Sequence, residues 1–266
     1  MPWTRRYDEA EPQRVNKWLA QSGVCSRREA EALIAEGRVS IDGEAGADAG
    51  RKIPPGQTLT LADPADGADG TATKGPGGGF TAVLNKPVGF VSGQPEPGYT
   101  PAVRLLTAGN RVGEGAAPDA RASLPPLGRL DMDSHGLLLL SDDGVLAKAV
   151  IGPESALDKE YVVRVAGLVT GEKLARLRHG LTLDGRRLKP AKVSVVEGQT
   201  LRFVLKEGRK RQIRRMCELV GLRVMDLLRV RIGPLDLGDL PEGRWRRLTA
   251  EEREALIAAS KGDAGP

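Results

Sequence analysis

Residues 128–144, GRLDMDSHGLLLLSDDG, are the part of this chain best equipped to do chemistry. They set Arg129 and Asp131 on either side of one leucine, follow them with the polar turn Asp133-Ser134-His135-Gly136, and then run apolar through 137–140. A short unbroken apolar run closed by Asp142-Asp143-Gly144 reads as a strand buried on both faces. A carboxylate at the mouth of such a strand, beside a cation that favours its ionised form, can act as a nucleophile or a base. The same residues would also serve as a structural Arg–Asp pair capping a core strand. Asp131 and Asp133, alternate residues on an extended segment, share a face and could form the acid/base pair of a hydrolase.

The surroundings are basic. The chain of 266 residues carries 40 Lys and Arg against 35 Asp and Glu, and the excess is local. Residues 206–231 hold nine Lys and Arg against three acids, more net charge than the +5 of the whole chain. Within them Ile213, Met216, Cys217 and Val220 recur at helical spacing and Gly221 follows, so a helix with one apolar face is expected there. Arg211, Arg214 and Arg215 project from its other faces. Such a surface suits the phosphates of RNA, and it leaves the hydrolase reading without a use for its cations.

The elements that must position these groups fall into two domains. Residues 1–13 alternate charge and proline and are expected to form a flexible arm. A first helix begins near Arg14 and ends at Gly23. A second starts at the capping box Ser26-Arg27-Arg28-Glu29 and stops at Gly37. A hairpin through Asp42-Gly43 and a strand at 58–61 complete the unit. Residues 62–79, with six glycines, two prolines and no aromatic residue, form a flexible linker. From Phe80 onward strands at 80–84, 160–165, 192–196 and 201–205 mix with helices near 144–150 and 170–178 without regular alternation. Closing strands follow at 229–235 and 244–248, a helix at 250–260 and a disordered tail at 261–266. The fold class is therefore α+β, a small α/β N-terminal domain linked to a larger domain built on a mixed, largely antiparallel sheet with flanking helices. Residues 94–126, rich in Gly, Pro and Ala, read as a long loop with one short helix near 102–106.

Forty per cent hydrophobic residues suffice for a core. No stretch approaches the roughly 18 apolar residues of a membrane span, and the start, MPWTRRYDEA, has no apolar segment behind its charges, so a cytoplasmic protein without a membrane partner is expected. Cys25, Cys217, His135 and His179 stand in no metal-ligand spacing, so no metal site is expected.

Two resemblances follow from these motifs. The stretch SRREAEALIAEGRVSIDG, with the helix before it, resembles the small RNA-binding module named after ribosomal protein S-four, over 14–61. That likeness implies that Arg14, Lys17, Arg27, Arg28 and Arg38 bind RNA. LNKPVGFVSG at 84–93, GRLDMDSHGLLLLSDDG at 128–144, KEYVVRV at 159–165 and GRKRQIRRMCELVG at 208–221 together resemble the RsuA/RluF family of ribosomal pseudouridine synthases.

The resemblance implies that Asp131 is the catalytic aspartate, Tyr161 packs on the target base and Arg214 pairs with the aspartate and favours its ionised form. Ile213 lines the pocket, and Arg129 fills the space left by the flipped nucleotide, with Arg211 and Arg215 also binding substrate. It implies an isomerisation without cofactor, a monomer, and ribosomal RNA as partner, free or in assembling large subunits. The look is closer to the enzymes of large-subunit 23S rRNA than to that of 16S rRNA. A scaffold that binds rRNA or assists assembly without activity is the alternative, and the presence of Asp131 with Tyr161 and Arg214 speaks against it.

Overall fold

The computed structural model describes residues 3–22, 24, 25, 27–45, 48, 50–62, 79–93, 98–119 and 122–262. The chain divides between Gly79 and Phe80 into two compact units, apart from residues 143–148, which group with the first.

The first unit runs β1 (Trp3–Arg6), β2 (Gln13–Arg14), α1 (Val15–Gln21), α2 (Arg27–Ala35), β3 (Val39–Ile41), β4 (Glu44–Ala45), β5 (Lys52–Ile53) and β6 (Thr58–Leu61). Its main sheet has the order β1-β6-β3-β4. The β3–β4 turn puts both Asp42 (φ 50°) and Gly43 (φ 85°) in the left-handed region, the geometry that matches the twist of a two-residue hairpin. Val15, Trp18 and Leu19 of α1 bury their helical face against Ile34, Ile41 and Leu59. Asn16 Nδ2 donates to Glu31 Oε1 at 2.9 Å and ties α1 to α2.

The expected flexible arm is corrected. Trp3–Arg6 pairs antiparallel with β6, and Tyr7 is 1% exposed, edge-on to Trp18 with ring centroids 5.4 Å apart. Charge and proline gave no sign of these two aromatic anchors, which join the arm to the core. Gly23, Ser26, residues 63–78 of the linker and 263–266 of the tail lie outside the described residues.

The second unit continues with β7 (Thr81–Lys86), β8 (Phe90–Val91), β9 (Thr100–Pro101), the 3-10 turns Ala102–Leu105 and Ala108–Asn110, β10 (His135–Ser141), α3 (Gly144–Ile151), β11 (Lys159–Ala166), α4 (Gly171–Arg178), β12 (Thr182–Leu183), β13 (Arg186–Arg187), β14 (Lys192–Glu197), β15 (Thr200–Leu205), α5 (Gln212–Leu219), β16 (Arg223–Ile232), β17 (Leu235–Asp236), β18 (Trp245–Arg247) and α6 (Ala250–Ser260). One sheet of order β14-β15-β11-β16-β10-β7-β18 organises it, with β17 added to β16. Its pairings are antiparallel except β10 with β16. The mixed α+β architecture agrees with the sequence. The expected closing strand at 229–235 is instead a long central strand, β16, lying between β11 and β10. Its arginines hid that position, because Arg229 is 2% exposed in spite of its charge.

Leu137, Leu138, Leu139 and Leu140 are all fully buried, with β7 pairing along β10 on one side and β16 on the other. Gly136 makes the second contact possible. A Cβ there would stand 2.4 Å from the Arg229 carbonyl oxygen, and its φ is +103°. Gly136→Ala is expected to cost about 3 kcal/mol, from overpacking and the left-handed backbone together, and to lower the melting midpoint by on the order of 10 °C. A calorimetric midpoint equal to the wild type would show that the β10–β16 approach is not tight there.

Candidate active site

Asp131 sits at the end of a loop whose backbone is held from every side. Leu127 donates its N–H to Leu139 O of β10 at 2.8 Å. Buried Arg229 donates Nε to Leu137 O at 2.7 Å and Nη2 to Gly128 O at 3.2 Å, so one guanidinium joins the loop's start to the strand after it. Ser92 clamps the next residue: its Oγ accepts the Leu130 N–H at 2.9 Å and donates to Leu130 O at 2.7 Å. Leu130 itself is 6% exposed and packs with Leu84, Leu138 and Leu140. Ser134 N then donates to Asp131 O at 3.1 Å and closes the turn. With Leu130 anchored in the core, Arg129 and Asp131 on either side of it both line a cleft.

The opposite wall comes from the loop before α5 and the helix's first turn. Arg211 occupies the position just ahead of α5 with φ 51° and ψ 34°, a left-handed conformation uncommon for a residue with a side chain. Its guanidinium makes a two-pronged contact with Asp133, Nη1 to Oδ1 and Nη2 to Oδ2, both 3.0 Å, and lies 3.7 Å from Asp131 Oδ2. Arg214, with a side chain only 9% exposed, donates Nη2 to Asp133 O at 2.7 Å and to Ser134 Oγ at 3.2 Å, and its Nε stands 3.4 Å from Asp133 Oδ2. Burial pushes the Asp133 carboxyl up, but the Arg211 hydrogen bonds and the charges of Arg214 and Arg211 outweigh it and hold it below the usual carboxylate range. Asp133 therefore stays an anion at neutral pH.

The cleft between these walls has a volume of about 280 Å³, close to the lower end of roughly 300 Å³ for small-molecule sites. Tyr161 from β11, Leu205, Leu227 and Ile213 supply its apolar surface, and Arg129, Arg209, Lys210, Arg211 and Arg214 supply cations against the carboxylates of Asp131 and Glu207. A ring beside a cationic rim can hold a planar base and its phosphates. Among the described residues there is no group of three or more His, Cys, Asp or Glu that could hold a metal ion, and no helix is long and apolar enough to cross a membrane.

The family model for RNA pseudouridylate synthase matches residues 81–219, and that for the S4 domain matches residues 13–59. An "uncharacterized RNA pseudouridine synthase" of Aquifex aeolicus is 35% identical over 250 residues, covering 92% of this chain and 94% of the relative. This chain belongs to the RNA pseudouridylate synthase family. The dual-specificity RNA pseudouridine synthase RluF of Escherichia coli strain K12 is 34% identical over 243 residues, 90% of this chain and 76% of its own. The ribosomal large subunit pseudouridine synthase B of Bacillus subtilis is 31% identical over 256 residues, covering 92% and 96%. A crystal structure of a pseudouridylate synthase superposes with a TM-score of 0.61 at 28% identity, over 91% of this chain and 99% of that one.

In this pseudouridine synthase the residues expected from sequence meet only in part. Asp131, Arg129, Tyr161, Ile213, Arg211 and Arg214 line one cleft. The ion pair expected between Arg214 and Asp131 is not formed within 4 Å; Arg214 turns to Asp133, and Arg211 is the cation beside Asp131. Asp133 captures both guanidiniums because it lies on the turn facing α5, so it positions the site. Arg215 departs from expectation too. It pairs with Asp184 in the β12–β13 turn through bonds of 2.9 and 2.6 Å and is not among the cleft residues.

In the S4 unit, Arg14 is exposed and Lys17 half-buried on α1, and Arg27 and Arg28 begin α2. Arg38 is diverted, donating Nη2 to Ala62 O at 3.0 Å and lying 3.6 Å from Glu36. Ser92, Asp133 and Arg229 hold the loop and the arginines around the cleft in place, a positioning that sequence reasoning missed. A serine, an acid and a basic residue inside a basic segment look like ordinary surface composition until their partners are known.

Sequence reasoning missed Lys86 as well. It is fully buried, donates Nζ to Pro87 O and Phe90 O at 2.8 Å each, and burial pulls its amine down to about 8 although the Asp133 and Asp131 carboxylates oppose this. Asp133→Asn removes the charge that orients both arginines. With the pair partly exposed, the expected loss of folding stability is about 1–2 kcal/mol, lowering the melting midpoint by a few degrees, and kcat/KM is expected to fall on the order of tenfold. Full activity in that variant would mean that Arg211 and Arg214 hold their places without Asp133.

Proposed function

We propose that this enzyme converts a specific uridine of ribosomal RNA, in the large-subunit 23S rRNA, to pseudouridine, with Asp131 as the catalytic group. The observation that carries this reading is the placement of the Asp131 carboxylate in a nucleoside-sized cleft between the Tyr161 ring and a row of cations. The large-subunit assignment is supported by likeness to a relative named for that subunit.

The reaction breaks the N1–C1′ bond, turns the uracil and rejoins it through C5. A proton leaves C5 and one is gained at N1, so electrons balance and neither cofactor nor energy input is required. Uridine inside folded RNA has to leave its stack first, at a cost of a few kcal/mol. In this reading Arg129, exposed at the cleft rim, fills the gap and Tyr161 packs on the extruded base, while Ile213 closes the apolar side. Asp131 then attacks C1′ or removes a ribose proton. Arg211 at 3.7 Å stabilises the carboxylate before reaction, and Arg214 acts on it through the shared partner Asp133. Arg14, Lys17, Arg27 and Arg28 of the S4 unit add sequence-independent hold on the rRNA. The enzyme works as a cytoplasmic monomer on free rRNA or on assembling large subunits.

The test is Asp131→Ala. It is expected to fold, to bind rRNA fragments with the wild-type affinity, and to form no pseudouridine, measured by tritium release from 5-tritiated uridine in the RNA. Pseudouridine formation at a substantial rate in this variant would remove Asp131 from the chemistry.

A further inference from the structure

A second cavity, of about 590 Å³, has no part in the chemistry above. It is lined by Arg178 and His179 at the end of α4, Lys189 and Pro190 before β14, Ala191, Lys192 and Val193 at its start, and Lys206 just after β15. No carboxylate lines it. Among the described residues none of Arg178, Lys189, Lys192 or Lys206 has a carboxylate oxygen within the 4.0 Å of an ion pair. By contrast Arg211, Arg214, Arg215, Arg231 and Arg246, in or near the basic segment, are each paired with an acid. A concentration of unneutralised cations repels itself, and an anion brought to it relieves that repulsion.

One segment, residues 205–207, contributes to both cavities. Leu205 and Glu207 line the catalytic cleft, and Lys206 between them lines the second cavity. Glu207 is the tie: its Oε1 accepts the Lys189 backbone N–H and Gln212 Nε2, both at 3.0 Å, and its Oε2 is 3.5 Å from Arg209 Nε. The loop that carries Lys189 is thus fixed to the loop that opens α5. A strand leaving the cleft along this segment meets cations and apolar residues together, with Val193 4% and Ala191 6% exposed. That pairing of charge with apolar surface fits a nucleotide, whose phosphate is anionic and whose sugar and base have apolar faces.

We infer that this cavity is a subsite for the RNA strand flanking the target uridine, holding a neighbouring nucleotide by its phosphate. The inference rests on RNA being the substrate. It predicts an effect on binding and none on the chemical step.

The experiment uses the full chain with Lys189→Gln and Lys192→Gln combined, which leaves the Lys189 backbone bond to Glu207 in place. A control, Arg104→Gln with Lys261→Gln, removes the same net charge elsewhere. Binding of single-stranded and hairpin rRNA fragments is measured by fluorescence anisotropy across a salt series, beside pseudouridine formation. The subsite variant is expected to flatten the salt dependence of log K by about 0.7, from the one phosphate contact on single-stranded RNA. KM should rise on the order of tenfold at unchanged kcat. Shortening the flanking strand should then weaken wild-type binding but leave the variant's binding unaltered. A salt slope and KM equal to the wild type, or the same change in the control, overturns the subsite. Absence of pseudouridine with the wild-type enzyme on every rRNA fragment instead overturns the proposed substrate, while the binding slopes still decide the subsite.

Discussion

The contact between Asp133 and the two arginines around the start of α5 is the interaction on which the site depends. It joins segments about eighty residues apart, Arg211 to Asp133 through two 3.0 Å bonds and Arg214 to the same residue's backbone and side chain. Two parallel N–H···O bonds fix both distance and plane, which one bond would not. The left-handed backbone at Arg211 is part of the same arrangement, since a residue with a side chain adopts it only where its surroundings impose it. Asp131, two residues from Asp133, is thereby presented to a cation without being fully consumed by it.

The rest of the second unit keeps that contact from drifting. The four buried leucines of β10 make the strand immovable, Gly136 lets β16 approach it, and Arg229 uses that approach to hold the loop's first carbonyl. Ser92 holds Leu130 by both backbone groups. On the other wall, Arg209 reaches the carbonyls of Leu183, Arg186 and Arg187, and Arg215 binds Asp184 in the same hairpin. Most arginines of the basic segment are thus structural, while Arg129 and Lys210 line the cleft and further cations line the second cavity.

Much of this was legible in the sequence for a physical reason. The short apolar run Leu137 to Leu140, closed by Asp142-Asp143-Gly144, reads as a buried strand by its length and flanks, and Ile213, Met216, Cys217 and Val220 read as one helix face by their spacing, so the elements around the site follow from the sequence. Motif resemblance singles out Asp131, Tyr161 and Arg214, and all three line one cleft. Partner choice was not legible. Nothing in GRKRQIRR distinguishes the arginine that meets Asp133 from the one that meets Asp184, because both partners are brought in by distant turns. The burial of Arg229 and Lys86 was hidden for the same cause: a charge reads as solvated until backbone carbonyls from elsewhere surround it. Trp3 and Tyr7 sit among charges that read as an arm, and only packing on Trp18 makes them core.

We propose that Asp131, held in this frame, isomerises a uridine of large-subunit rRNA. The most direct measurement is a map of pseudouridine across both ribosomal RNAs in cells with and without the gene, with the wild-type chain and the Asp131→Ala chain restored in turn. At least one large-subunit position is expected to lose pseudouridine on deletion, to regain it with the wild type and to stay uridine with the variant. Identical maps in all four strains, or a change confined to the small-subunit rRNA, would contradict it.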